Sequence, residues 1–122
     1  MDNTAHLTVN DVRLDLGPRC VEAMEAALLT WDGDTGYWTD EAVDETEMLW
    51  PPTAGRLRVL ALAAFKTATR AKYPRSYASP SLAGRRRWIV FQNPENQLSI
   101  GEGDSEEAAW AAACEKVGED DR

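Results

Sequence analysis

Few side chains in this 122-residue chain are of the kinds that do covalent or metal chemistry, and their spacing limits what they can do. His6 is the one histidine, and Cys20 and Cys114 are the two cysteines. A nucleophilic relay needs a histidine beside Ser or Cys, free to shuttle a proton. His6 instead sits in an alternating strand pattern opposite Asp15, which reads as a surface cross-strand pair. One histidine and two cysteines cannot complete a structural zinc site. Both cysteines fall on the inward faces of expected helices, so buried free thiols are the expectation and a disulfide between them the minority alternative.

Two further patterns resemble ligand sites and fail on inspection. Asp32-x-Asp34-x-Gly36 begins like a calcium loop, but Gly36 stands where an oxygen ligand belongs. Tyr37 then replaces the required glycine and Val43 the bidentate glutamate. Gly101-x-Gly103 follows an expected strand and precedes a helix, as phosphate loops do. It lacks the third glycine and the phosphate-binding lysine, and acids follow it. These glycines read as a strand terminator. No catalytic residue, metal or cofactor is expected.

Charge is more informative. The net charge is −8, but it is laid out in blocks. Positions 31–50 hold seven acids and no base: Asp32, Asp34, Asp40, Glu41, Asp44, Glu45 and Glu47. Positions 51–94 hold nine bases and no acid: Arg56, Arg58, Lys66, Arg70, Lys72, Arg75, Arg85, Arg86 and Arg87. From position 102 onward eight acids face only Lys116 and Arg122. A basic block between acidic flanks is the chain's most distinctive property.

The elements that must position these charges are legible by period and by turn chemistry. Ala5 to Leu16 reads as a hairpin about Asn10-Asp11, pairing Val9 with Val12, Leu7 with Leu14 and Ala5 with Leu16. Gly17-Pro18 opens a helix with a Val21, Met24, Leu28, Trp31 stripe, which Asp32 to Gly36 breaks. Thr39 to Leu49 reads as a short acidic helix capped by Thr39, stopped at Trp50-Pro51-Pro52. Thr53 to Lys72 is the longest helix and central, with Leu57, Leu60, Ala64, Ala68 and Ala71 in one row. Tyr73 to Gly84 reads as a loop.

Arg86 to Val117 is the clearest stretch. A strand over Trp88–Gln92, a turn at Asn93-Pro94-Glu95-Asn96 and a second strand make a hairpin with Phe91 opposite Leu98 and Ile89 opposite Ile100. The first strand is apolar on both faces and should be central. Asp104 or Ser105 then caps a helix, Asp104-x-x-Glu107 fits a capping box, and Trp110, Cys114 and Val117 face inward. The whole is a single α+β domain over 1–122, ordered ββ-α-(α)-α-ββ-α. Three or four helices pack on one face of an antiparallel sheet built from two hairpins, and 118–122 form a disordered acidic tail.

Gly103-Asp104-Ser105-Glu106-Glu107-Ala108 running into Ala109-Trp110 resembles the C-terminus of many short phage and prophage proteins. More loosely, the segment is similar to the equivalent part of HicB-type antitoxins and to the ββα half of double-stranded-RNA-binding domains. The resemblance covers about a quarter of the chain and implies a small phage accessory protein, a class that includes anti-CRISPR-type inhibitors of host defence.

These readings give two functional expectations. The leading one is a non-enzymatic protein that binds a host protein or protein–nucleic-acid complex through acidic surfaces. Asp32, Asp34, Trp38, Asp40, Glu41, Asp44, Glu45 and Glu47 would form one surface, and Asp104, Glu106 and Glu107 another. The alternative is nucleic-acid binding through Arg70, Lys72, Arg75, Arg85, Arg86 and Arg87, interleaved with Tyr73, Tyr77 and Trp88. A net charge of −8 opposes the alternative, and internal pairing of the cations with the chain's own acids is the simpler account. Nothing resembles a signal peptide and no apolar run approaches a membrane span, so the cytoplasm of a bacterial host, with no membrane partner, is the expected location.

Overall fold

The computed structural model of the chain describes residues 4–9, 12–33, 37–40, 54–81, 87–95 and 98–120. Their order is β1 (His6–Val9), β2 (Val12–Asp15), α1 (Pro18–Ala26), β3 (Leu29–Asp32), β4 (Tyr37–Asp40), α2 (Ala54–Lys72), β5 (Tyr77–Ser81), β6 (Arg87–Phe91), β7 (Ser99–Gly103) and α3 (Glu106–Asp120). The class is α+β, with antiparallel strands and three helices among the described residues. The strands pair as β1-β2, β3-β4 and β5-β6-β7, three sheets where the sequence suggested one.

The first hairpin has the register its alternation demands: Leu7 pairs with Leu14, Val9 with Val12, and the Leu16 amide donates to the Ala5 carbonyl at 2.9 Å. Leu7, Val9, Ala5 and Leu16 enter the core. On the other face His6 does lie across from Asp15, but the Asp15 carboxylate pairs with Arg13 at 2.6 Å. The His6 ring packs edge-on against Trp31, centroids 5.0 Å apart.

Helix α1 is shorter than its apolar stripe suggested. It ends at Ala26, and Leu28 adopts a left-handed conformation (φ 66°) with half its surface exposed. The chain then turns into β3 and β4, which pair Trp31 with Trp38 and Thr30 with Thr39. Trp31 is thus a strand residue, and Thr39 and Asp40 lie in β4 rather than opening an acidic helix. The remainder of that expected helix, 41–49, lies outside the described residues. The signal was present: β-branched and aromatic residues on both sides of a Gly/Asp-rich turn favour a hairpin.

Helix α2 has the expected span and a different buried face. Ala61, Ala64, Phe65 and Thr69 are buried, an i, i+3, i+4, i+8 stripe, whereas Val59 and Ala71 are exposed. Thr69 can be buried because its hydroxyl donates to the Phe65 carbonyl at 2.8 Å, satisfying it within the helix. One face packs on α1 and α3, so α2 joins the two ends of the chain.

The last sheet has β6 in the centre, as its two apolar faces require. β5, expected as loop, is an edge strand, the place in a sheet that tolerates Pro80. The β6–β7 register differs from the expected one. Trp88 pairs with Gly103, Val90 with Gly101, and Phe91 with Ser99, so Ile100 is the extra residue of a bulge and is buried. Leu98 is left exposed.

Gly103 ends β7 as expected, but Gly101 lies inside the strand, and both are seats for a helix. A Cβ on Gly101 would lie 2.5 Å from the Ala113 amide and 2.6 Å from the Ala109 carbonyl. Ala109, Trp110, Ala113, Cys114 and Val117 of α3 pack there, and α3 continues to Asp120, through residues expected in the tail. Ser105 is the cap, its hydroxyl accepting from the Ala108 amide at 3.1 Å. The Glu107 side chain turns away from any capping box toward Arg58.

Candidate functional site

The first turn of α3 brings the chain's two charge regimes together. The carboxylate of Glu107, mostly buried, accepts from both Nε and Nη2 of Arg58, at 3.2 and 3.0 Å. Two turns along α2, Lys66 reaches Glu106 at 3.8 Å. Its ammonium also lies over the Trp110 ring, 5.8 Å from the centroid, and the Arg70 guanidinium lies over the same ring at 5.2 Å. Trp110 itself is buried, so the cations cap an aromatic core residue while their heads face solvent.

The basic block from the last turn of α2 onward is used in the same way. Arg70 Nε donates to the Ser76 carbonyl at 3.2 Å, which ties the end of α2 to the start of β5. Lys72 lies over Tyr73 at 5.7 Å. Arg75 pairs with Glu95 at 2.6 Å, and Arg87 with Glu102 at 3.9 Å. The Arg75 guanidinium, helped by a backbone amide, holds the Glu95 carboxyl below the usual carboxylate range. Arg85 and Arg86 lie outside the described residues.

The expected acidic surfaces are redistributed. Asp104 is exposed, as a contact residue must be, whereas Glu106 and Glu107 turn toward α2. Trp38 is buried, its indole N–H donating to the His6 carbonyl at 2.9 Å, so it holds β4 on β1 and offers no anchor to a partner. Asp32 is half-buried at the end of β3. Asp40 lies in β4, and Asp34, Glu41, Asp44, Glu45 and Glu47 lie outside the described residues.

One feature had no sequence signal. A cleft of about 260 Å³ opens between β2, β7 and the facing ends of α1 and α3, lined by Asp15, Glu102, Glu115, Gly17 and Cys20 among others. Helix α1 has no side-chain cap of its own. The Glu115 carboxylate supplies it from α3, accepting from the Cys20 amide at 2.8 Å, where the helix dipole favours an anion. The cleft brings together carboxylates from three elements distant in sequence. Among the described residues no group of His, Cys, Asp and Glu is arranged to hold a metal ion. No helix of the described residues is long and apolar enough to cross a membrane.

With this geometry in view, the chain was compared with known proteins: no protein-family model, curated protein or solved structure matches it.

Proposed function

We propose that the chain is a non-enzymatic, phage-type accessory protein that binds a host protein through its acidic surface. The target class is a nucleic-acid-handling defence complex, blocked in the manner of an anti-CRISPR inhibitor. The observation that carries this reading is the internal use of the basic block. Arg58, Lys66, Arg75 and Arg87 each meet a carboxylate of the chain's own C-terminal third. Cations neutralised in this way contribute little to phosphate binding, while the chain as a whole keeps its charge of −8. The surplus is complementary to proteins whose basic surfaces receive nucleic acid.

The test is affinity capture from bacterial lysate with the wild-type chain and a charge-reversed one, Asp40, Glu41, Asp44, Glu45 and Glu47 all changed to Lys. Wild type should retain a basic nucleic-acid-handling protein that the reversed chain loses. Equal retention by both would defeat the proposal. So would tight binding of wild type to bare DNA or RNA at low salt, falling steeply as salt rises, which is the signature of phosphate recognition.

A further inference from the structure

The chain has two cysteines, and the fold brings them together from opposite ends of the sequence. Cys20 lies in the first turn of α1 and Cys114 in the middle of α3. Each thiol is turned onto the other helix. The Cys20 thiol donates to the Ala111 carbonyl at 3.2 Å, and the Cys114 thiol approaches the Arg19 carbonyl at 3.7 Å. Ala111 lies one turn before Cys114 and Arg19 directly before Cys20, so these two contacts set the thiols facing each other across the α1–α3 contact.

We propose that Cys20 and Cys114 are the site of a reversible intramolecular disulfide, a redox clasp that joins α1 to α3 when the chain meets a peroxide. Access is built in: Cys20 lies on the wall of the cleft of about 260 Å³ between α1, β2, β7 and α3, far larger than hydrogen peroxide. The two thiols differ in access. Cys20 lines the cleft and Cys114 does not, so Cys20 meets the peroxide and Cys114 is the resolving thiol.

The chemistry balances with hydrogen peroxide as the oxidant. Cys20 gives up its proton and its sulfur attacks one peroxide oxygen. The O–O bond breaks, the departing hydroxide takes up the proton as water, and Cys20 is left as a sulfenic acid. The Cys114 sulfur then attacks the Cys20 sulfur as the S–O bond breaks. The Cys114 proton leaves with the hydroxyl as a second water. Two thiols have lost two electrons, and the peroxide has gained them. A dithiol reductant reverses the bond by exchange.

Closing a loop that spans most of the chain constrains the unfolded state, so the oxidised form should melt higher, by on the order of 10 °C. The test treats the full chain with hydrogen peroxide and follows intact mass, non-reducing peptide mapping and thermal melting. Wild type should lose the mass of two hydrogens, yield one linked peptide pair containing Cys20 and Cys114, remain monomeric and melt higher, and dithiothreitol should restore every readout. Cys114→Ala should stop at an oxygen adduct or an intermolecular dimer, with no rise in melting temperature. The peptide map of wild type needs no variant to fold. Both thiols still titratable after unfolding, oxygen adducts without a linked pair, or linkage only between molecules would each overturn the proposal.

Discussion

Glu107 and Glu95 show how one residue type takes opposite roles in the same protein. Glu107 is nearly enclosed and shared between two nitrogens of Arg58, so its removal takes two charge-assisted hydrogen bonds from a partly buried guanidinium. Because Arg58 remains about a third exposed, the cost is discounted from that of a fully buried pair. Glu107→Gln should lower stability by about 1–3 kcal/mol in urea melts. A double-mutant cycle with Arg58→Gln should show coupling beyond additivity. Glu95 is exposed, and its partner changes ionisation rather than packing. Its folded pKa is depressed, so the pair's contribution is present above the ordinary glutamate value and is lost as pH falls through the depressed one. Arg75→Ala should return the Glu95 titration, followed by NMR, toward the ordinary range. An unmoved titration would remove Arg75 as the cause.

At the scale of elements, two backbone positions decide how helices meet their neighbours. α3 lies directly on β7 because Gly101 has no side chain, and the nearest atoms to an added Cβ are helix backbone, which cannot swing aside. Gly101→Ala should cost about 1–3 kcal/mol, the usual penalty of overpacking, read as a lowered melting temperature. Leu28 ends α1 in a conformation that a β-carbon disfavours, and its side chain gains little by being half exposed. Leu28→Gly should therefore stabilise the protein by about 0.5–1 kcal/mol, a sign opposite to that of most leucine-to-glycine changes. The first hairpin was legible to the residue because apolar and polar positions alternate without exception about a short turn. The second was hidden because Leu28 and Trp31 also fit a helical stripe that continues from Val21 and Met24. The β6–β7 register was hidden for another reason. A bulge at Ile100 shifts the pairing, and an apolar residue fits the pattern on either side of it.

Across the whole molecule the charge blocks fold onto each other. Lys66, Arg75 and Arg87 meet Glu106, Glu95 and Glu102, so three cations of the basic segment are paired within the chain. Converting all three glutamates to Gln should unmask those cations. Affinity for duplex DNA at low salt should rise above that of wild type, and the log–log salt slope should steepen by about 0.9 for each newly engaged phosphate. An unchanged gel shift would mean that these pairs do not restrain the basic block.

The sequence by itself determined the α+β class, the β1–β2 register, the span of α2, the strand-turn-strand-helix order of the last third and the segregation of charge. Each depends on local period, turn residues or composition, which neighbours in sequence suffice to set. The tertiary structure decided which charges meet, that Glu107 faces inward while Asp104 faces out, that Trp38 fastens one hairpin to another, and that Cys20 and Cys114 each turn onto the other's helix. These are contacts between elements far apart in the chain, and they depend on the close approach of α3 to β7 and of α1 to α3. No periodicity encodes that approach. It follows from the absence of a side chain at Gly101 and from the one carboxylate, Glu115, that caps a helix it does not belong to.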